Sequence, residues 1–420
     1  MKTFPSYQIH HIYLDNTLNF PVLDVNEKGN YLVFWWKDIG LGHFFIEPNK
    51  PPDEKEYQEQ LIKAIKPAID FYTKNENIAG NGWEYWLVNK MFEAWNGWME
   101  PLFSKFTAVK IPVSVPVSVI ICTRNRAAYL QQCLIMLKAL DCIPEEIVVV
   151  DNAPADDTSK TVVENFEGVK YIKEPMGGLD IARNTGILNT TLPIISFVDD
   201  DVSVHPLWAY NIWETFQNLS VAAMTGLVIA AELKTEAQLI FEKHWSFNRG
   251  YTDKIYDSDF FKSSLVNGPP VWEIGAGANM AFRKSVFEKA GHFDEILDAG
   301  AAGCNGDSEM WFRILAKGYT IYYNPRAVVF HEHRKDLKGL KKQIFYYMRG
   351  FTTAALIQQK QYPEAGYKRR LRRLLRYYGN LTIREFPYYR FQFKTLSAEI
   401  LGLLSGLLFY HKNKNHLPNP

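Results

Sequence analysis

From Val117 onward the chain alternates short apolar runs with helical segments. The order is "VSVIIC" (117–122), a helix near 127–139, "EIVVVD" (146–151), a helix after Thr158, "VKYI" (169–172), a helix near 179–188 and "IISFVD" (194–199). Unbroken Val/Ile runs, unlike alternating ones, describe strands buried on both faces. Strands of this kind separated by helices predict right-handed βαβ units in a mostly parallel sheet. Such sheets bind ligands beyond the carboxyl ends of their strands. Three of these strands run into "TRNR", "DNAP" and "DDDV", so the pattern gathers polar groups on one rim.

The flanks read differently. Residues 1–112 mix strand-like aromatic runs ("YLVFWW", "GHFFIEP") with a helical pattern from Asp53 to Tyr72, which predicts an accessory α+β domain without a chemical motif. In "KIPVSVPVS", Pro112 and Pro116 interrupt a β-branched run and suit an extended linker, placing a second domain over 117–334. Residues 335–420 are helical, aromatic and basic. Between Tyr367 and Lys394 stand Lys368, Arg369, Arg370, Arg372, Arg373, Arg376, Arg384, Arg390 and Lys394 against Glu385 alone. Leu371, Leu374, Leu375 and Tyr378 share one face of that helix, a pattern that fits either a helix lying on a membrane surface or one docked on the core by its Leu stripe. The later run "ILGLLSGLLFY" (400–410) is too short to span a bilayer and reads as a docked helix or a shallow membrane contact.

Composition narrows the classes. With 420 residues, 47% of them hydrophobic and 22% charged, the chain can bury a large core. Lys+Arg 47 against Asp+Glu 46 leaves a formal net charge of +1, so no overall field attracts nucleic acid. Cys122, Cys133, Cys142 and Cys304 form no CxxC pair and read as reduced thiols. The opening "MKTFPSYQIHHIYLDN" lacks a basic-then-apolar leader, and no run approaches the roughly 20 apolar residues of a membrane span. The expectation is a cytoplasmic protein, with any membrane contact peripheral, at the inner face, through 367–410.

The rim carries the candidate chemistry. In "IISFVDDDVSVHP", Asp199, Asp200 and Asp201 are adjacent acids that repel unless something positive sits among them. A dinucleotide site would need a glycine-rich turn after the first strand, and "CTRNRAAYL" has no glycine. The rim offers instead Thr123, Asp151, Arg183 and the Asp triplet. Two acids one residue apart can hold a divalent cation against a diphosphate, while Asp and Arg can hold a base and a phosphate. Further on, Asp307 stands where a helix begins, as a reactive acid or as an N-cap. His331 and His333 alternate across Glu332 and face one side, as metal ligands or as ordinary surface histidines.

The ordered set "VSVIICTRNRAAYL", "VVVDNAP", "GGLDIARNTGI", "ISFVDDDV", "GAGANMAFRK", "GDSEMWFRIL" and "FHEHR", from Val117 to Arg334, resembles the family 2 glycosyltransferases, inverting enzymes of GT-A fold. The resemblance implies an α/β nucleotide-diphospho-sugar transferase fold with a mostly parallel central sheet, flanked by the N-terminal α+β domain and the C-terminal helical region. It implies that Thr123, Arg124, Asp151, Arg183, Asp199 and Asp200 bind the donor, a UDP-sugar in the favoured reading. Asp199, Asp201 and His331 would hold Mn²⁺ or Mg²⁺, and Asp307 would be the catalytic base. Gly277, Asn279 and Trp311 fall to the sugar and acceptor side. One departure stands out: where many relatives read Glu-Asp, this chain reads Gly306-Asp307.

Such an enzyme transfers a sugar to a glycan or lipid-linked acceptor, in polysaccharide or glycoconjugate synthesis. Two other readings compete with it. A sugar nucleotidyltransferase would open with a Gly-rich loop, against which "CTRNRAA" speaks. A non-catalytic glycan-binding or scaffolding member of the fold would not need the full set of Asp199, Asp201, Asp307 and His331.

Overall fold

The computed structural model describes residues 4–24, 27–80, 82–107, 110–298, 301–385 and 393–414. The N-terminal layer is a sheet of β1 (Tyr7–Tyr13), β2 (Gly29–Trp36) and β3 (Ile39–Ile46), in that order, with β2 in the middle and buried at every position. The helix α1 (Glu54–Glu76) packs on it, started by Asp53, whose carboxylate accepts from the Glu56 amide at 2.8 Å. The short α2 (Trp83–Val88) and α3 (Phe92–Thr107) complete the layer with Trp83, Trp95 and Phe103 inward. Its aromatic core is continuous with Leu227, Ile229, Leu233, Tyr251 and Val328 of the part that follows, so the layer is joined to the rest by shared apolar packing.

The second part follows the sequence pattern closely at first. The elements are β4 (Ser114–Thr123), α4 (Ala127–Lys138), β5 (Ile143–Asn152), α5 (Thr158–Glu164), β6 (Val169–Glu174), α6 (Leu179–Asn189) and β7 (Ile194–Asp199), all four strands parallel. Strand β4 begins at Ser114, inside the stretch that reads as a linker. Pro116 sits where the register with β5 shifts, a bulge that needs no amide donor.

Beyond β7 come β8 (Val202–Val204), α7 (Trp208–Thr215), β9 (Val221–Ala230), α8 (Glu236–His244), β10 (Lys254–Tyr256), α9 (Ser258–Ser264), β11 (Asn279–Arg283), α10 (Val286–Ala290), α11 (Gly306–Ala316) and β12 (Thr320–His331). The sheet runs β10-β12-β9-β11-β7-β4-β5-β6, with β8 on β12. Here β11 lies antiparallel between β9 and β7, and β8 and β10 lie antiparallel on β12, so the sheet as a whole is mixed.

The C-terminal helices are α12 (Leu337–Gln361), α13 (Tyr367–Glu385) and α14 (Leu396–Asn413). The "ILGLLSGLLFY" run is a docked helix: a Cβ at Gly402 or Gly406 would fall on the α12 backbone at Phe345 or Arg349, so glycine sets the close approach. On α13, Leu371, Tyr378 and Leu381 are buried while Leu375 turns outward, so the Leu stripe docks on the core. Arg390 and the Glu385 side chain lie outside the described residues. Among the described residues no helix is long and apolar enough to cross a membrane.

Candidate active site

Strands β4, β5 and β7 are in register at their carboxyl ends, where Thr123 pairs with Asp151 and Cys122 with Asp199. They open on a cavity of about 980 Å³ walled on its far side by α12 and α13. The Asp triplet divides its work there. Asp200 turns inward and accepts from Thr123 Oγ1 at 2.7 Å and Arg126 Nη1 at 2.6 Å. Asp201 accepts from the other arm of Arg126 at 2.9 Å, and Tyr129 lies under that guanidinium, 4.4 Å from it. Asp200 therefore anchors the loop, leaving its neighbours to face the cavity.

Asp199, Asp201 and His331 each bring a ligand atom within 4.8 Å of the others, and His331 Nε2 lies 3.9 Å from Asp201 Oδ1. Two carboxylate oxygens and one imidazole nitrogen suit a divalent cation such as Mn²⁺ or Mg²⁺. Electrostatics agree with that fit. Burial and then Asp201 push Asp199 up to about 7 against the pull of Arg183. Burial pushes Asp200 up to about 6 although Arg126 and Thr123 oppose it. Burial, helped by His333, pushes His331 down to about 4, so at neutral pH its ring is uncharged and can offer a lone pair. Acids crowded in this way gain from a cation.

Asp307 lies on the other side of Arg183. The N-cap of α11 is Asn305, at φ 111°, so Asp307 sits inside the first turn and is not the cap. Its Oδ2 accepts from the Gly277 amide at 2.8 Å and its Oδ1 from the Ser308 amide at 2.7 Å. A Cβ at Gly277 would stand 2.7 Å from Arg183 Nη2, so glycine is needed for this approach. Burial opposes the charge of Arg183, but Asp180, Asp199 and Asp307 outweigh it and hold its pKa above the ordinary value.

The Gly306 departure has a structural counterpart. A Cβ at 306 would fall on the carboxylate of Asp180, which comes from α6 and binds Arg183 Nη1 at 2.9 Å. An acid thus stands beside Asp307 after all, delivered from another element. Burial pushes Asp180 up to about 7, with Arg183 opposing.

Residues 118–291 match the family model described as Glycosyl transferase family 2. This part of the chain belongs to glycosyl transferase family 2. The transferase domain has the GT-A type of α/β architecture, with N- and C-terminal additions around its mixed sheet. The chain is 25% identical over 237 residues to a pre-mycofactocin glycosyltransferase of Mycobacterium tuberculosis (strain ATCC 25618 / H37Rv), covering 55% of this chain and 46% of that one, so it spans about half the relative's length. It is 28% identical over 257 residues to the succinoglycan biosynthesis protein ExoM of Rhizobium meliloti (strain 1021), covering 57% and 74%. Among solved structures, the mannosyltransferase PcManGT from Pyrobaculum calidifontis, in complex with GDP-Man and Mn²⁺, aligns with a TM-score of 0.44 at 16% identity, over 71% of this chain and 88% of that one.

Within the transferase domain, Thr123, Arg124, Arg183, Asp199, Asp200, Asp201, Gly277, Asp307 and His331 all line the one cavity. Three sequence candidates do not. Asp151 is fully buried behind the rim, where it accepts from the Tyr171 hydroxyl at 3.0 Å, and its neighbour Asn152 faces the cavity instead. Asn279 is a buried clamp: its amide donates to Leu227 O and Ala327 O, and its carbonyl accepts from Trp208 Nε1. Trp311 is wholly buried, stacked on Phe282 with ring centroids 5.0 Å apart. These two belong to the core, not to the acceptor side.

The residues that sequence reasoning missed are Arg126 and Asp180 on the sheet side, and Arg249, Lys342, Tyr346 and Arg370 on the other walls. "TRNR" offered two arginines, and it is the second that grips the acids. The basic run of α13 signalled charge but not direction.

Proposed function

We propose that the chain transfers a sugar, with inversion, from a nucleoside-diphosphate sugar to a hydroxyl of a glycan or lipid-linked acceptor in polysaccharide or glycoconjugate synthesis. The observation that carries this reading is one cavity holding the Asp199/Asp201/His331 cluster and Asp307 on opposite sides of Arg183. Asp199, Asp201 and His331 would hold Mn²⁺ or Mg²⁺, which when bound supplies Lewis-acid stabilisation of the charge on the departing diphosphate.

The chain's own residues account for the rest. An acceptor hydroxyl has a pKa far above 7 and needs a base as its C–O bond forms, and Asp307 takes that proton. The amides of Gly277 and Ser308 fix its carboxylate plane beforehand. Arg183, kept charged in a buried site, faces the phosphates, and the Thr123–Arg124 turn and Asn152 form the nucleotide end. The donor is read as a UDP-sugar. Trp272, Arg370 and Tyr346 on the far wall form the acceptor end. The location is read as cytoplasmic, peripheral to the inner membrane face through the cations of α13.

The test is release of nucleoside diphosphate from a panel of nucleotide sugars, with Mn²⁺, Mg²⁺ or EDTA, comparing the parent with Asp201→Ala and Asp307→Asn. Slow hydrolysis of one donor, lost with EDTA and in Asp201→Ala, is the expected result. No turnover, together with no thermal stabilisation by UDP or GDP plus metal, would overturn the reading in favour of a non-catalytic member of the fold.

A further inference from the structure

Behind His331 a row of buried polar groups leads away from the cavity and into the N-terminal layer. His331 Nδ1 lies 3.1 Å from His333 Nδ1, and His333 Nε2 lies 2.9 Å from Glu242 Oε2. The other oxygen of Glu242 accepts from Ser246 Oγ at 3.1 Å and from the Tyr31 hydroxyl at 3.4 Å. The members come from β12 and the turn after it, from α8, and from β2 of the N-terminal layer, and Tyr31, Glu242, His331 and His333 are all buried. Phe241 packs on the His333 ring at 4.5 Å and Phe247 meets His331 edge-on at 5.5 Å, so neither ring is free to turn.

The hydrogens in this row follow from the acceptor at its end. As a carboxylate, Glu242 can only accept, so His333 must carry its hydrogen on Nε2. Its Nδ1 is then the acceptor, and His331 must donate from its own Nδ1. That leaves the lone pair of His331 on Nε2, the atom 3.9 Å from Asp201 Oδ1. One tautomer of each ring satisfies every contact, and it presents the free nitrogen to the acids.

We propose that Glu242 and His333 are positioning residues that fix the tautomer and plane of His331 for a divalent cation, with the N-terminal layer bracing Glu242 through Tyr31. This rests on the metal reading of the Asp199/Asp201/His331 cluster. It gives the N-terminal layer a link to the site without a substrate contact of its own.

The experiment is Mn²⁺ titration of the full chain, followed by the electron paramagnetic resonance signal of free Mn²⁺, with melting curves recorded without metal. Removing an outer partner of a metal-bound histidine costs about 10–100-fold in affinity, and His333→Leu is expected in that range. His333→Asn, whose side chain can still accept near the Nδ1 position, should recover most of it. Tyr31→Phe should lose the least. Where His333→Leu does not fold, Glu242→Met removes the acceptor at similar volume and carries the same expectation. Asp201→Ala separates the two ideas. If it binds Mn²⁺ like the parent, the metal reading fails. If it loses Mn²⁺ while His333→Leu or Glu242→Met binds like the parent, or if His333→Asn is as weak as His333→Leu, the positioning role is overturned alone.

Discussion

The sheet side of the cavity is made of short side chains locked to backbone and to one another, whereas the helical side is made of long side chains held at one end. On the sheet side, Asp200 and Asp201 share the two arms of Arg126, Asp307 is pinned by two amides, and Asp180 holds Arg183. On the helical side, Lys342 is exposed, and Arg370 rests on Trp272 at 4.6 Å while donating to Asn267 O. The first construction holds reacting groups to within a fraction of an ångström, which is what proton transfer and charge stabilisation need. The second can adjust to the shape of a bound molecule, which is what acceptor choice needs. The contrast assigns chemistry to one wall and selectivity to the other.

The sharpest way to break this division is Asp307→Asn. A positioned base contributes about 10²–10⁴-fold, so transfer should fall by that factor while Mn²⁺ and nucleotide affinity stay near the parent's. Loss of nucleotide binding as well would mean that Asp307 serves the donor site, and that the two ends of the sheet side are not separate.

Gly306→Ala tests how rigid that side is. The added Cβ falls on the buried Asp180 carboxylate, and overpacking of this kind costs about 1–3 kcal/mol. Denaturant melts of the two single variants and the Asp180→Ala/Gly306→Ala double variant give the coupling. The penalty should shrink in the Asp180→Ala background, because the clash partner is gone. Strict additivity would show that the loop at 306 yields and that the packing is loose.

The same contrast explains what the sequence disclosed. Strands β4 to β7 were legible because both of their faces are covered, which leaves unbroken Val/Ile runs, and the acids at their ends could only lie at the rim. The register that brings Cys122 beside Asp199 follows from that topology. Asn279 and Trp311 misled for a common reason: a polar amide and a large ring in a motif region look exposed, yet Asn279 ties β11 to β9 and β12 while Trp311 fills the core under α11. Asp180 was hidden because its value depends on the empty space at Gly306, more than a hundred residues away. The helical wall was unreadable because an amphipathic pattern shows which face of α13 docks, but not which element it docks against.

Substitutions on the helical wall should act more gently and on a different parameter. Trp272→Ala or Arg370→Ala removes a cation–π pair of about 1–2 kcal/mol, so acceptor KM should rise about tenfold with little change in kcat. Initial rates over a range of acceptor concentrations separate the two. A drop in kcat with unchanged KM would place this wall among the reacting groups and erase the contrast.

The smallest expected effect is in the pH dependence of stability, and it again divides the two sides. Asp180 is raised from an ordinary carboxyl value to about 7 by burial, against the pull of Arg183. Folded protein therefore keeps this proton to higher pH than unfolded protein does. Stability from this group is fully present below its unfolded pKa, near 4, and is lost as pH rises through about 7. Melting temperatures measured without metal should fall across that window in the parent, and the fall should be shallower in Asp180→Asn, which has no proton to release. Lys342→Ala, on the exposed helical wall, should leave the slope as it is. An equal flattening in both variants would mean that the two walls share one electrostatic environment, and that the locked side owes its rigidity to the whole cavity instead of to its own short contacts.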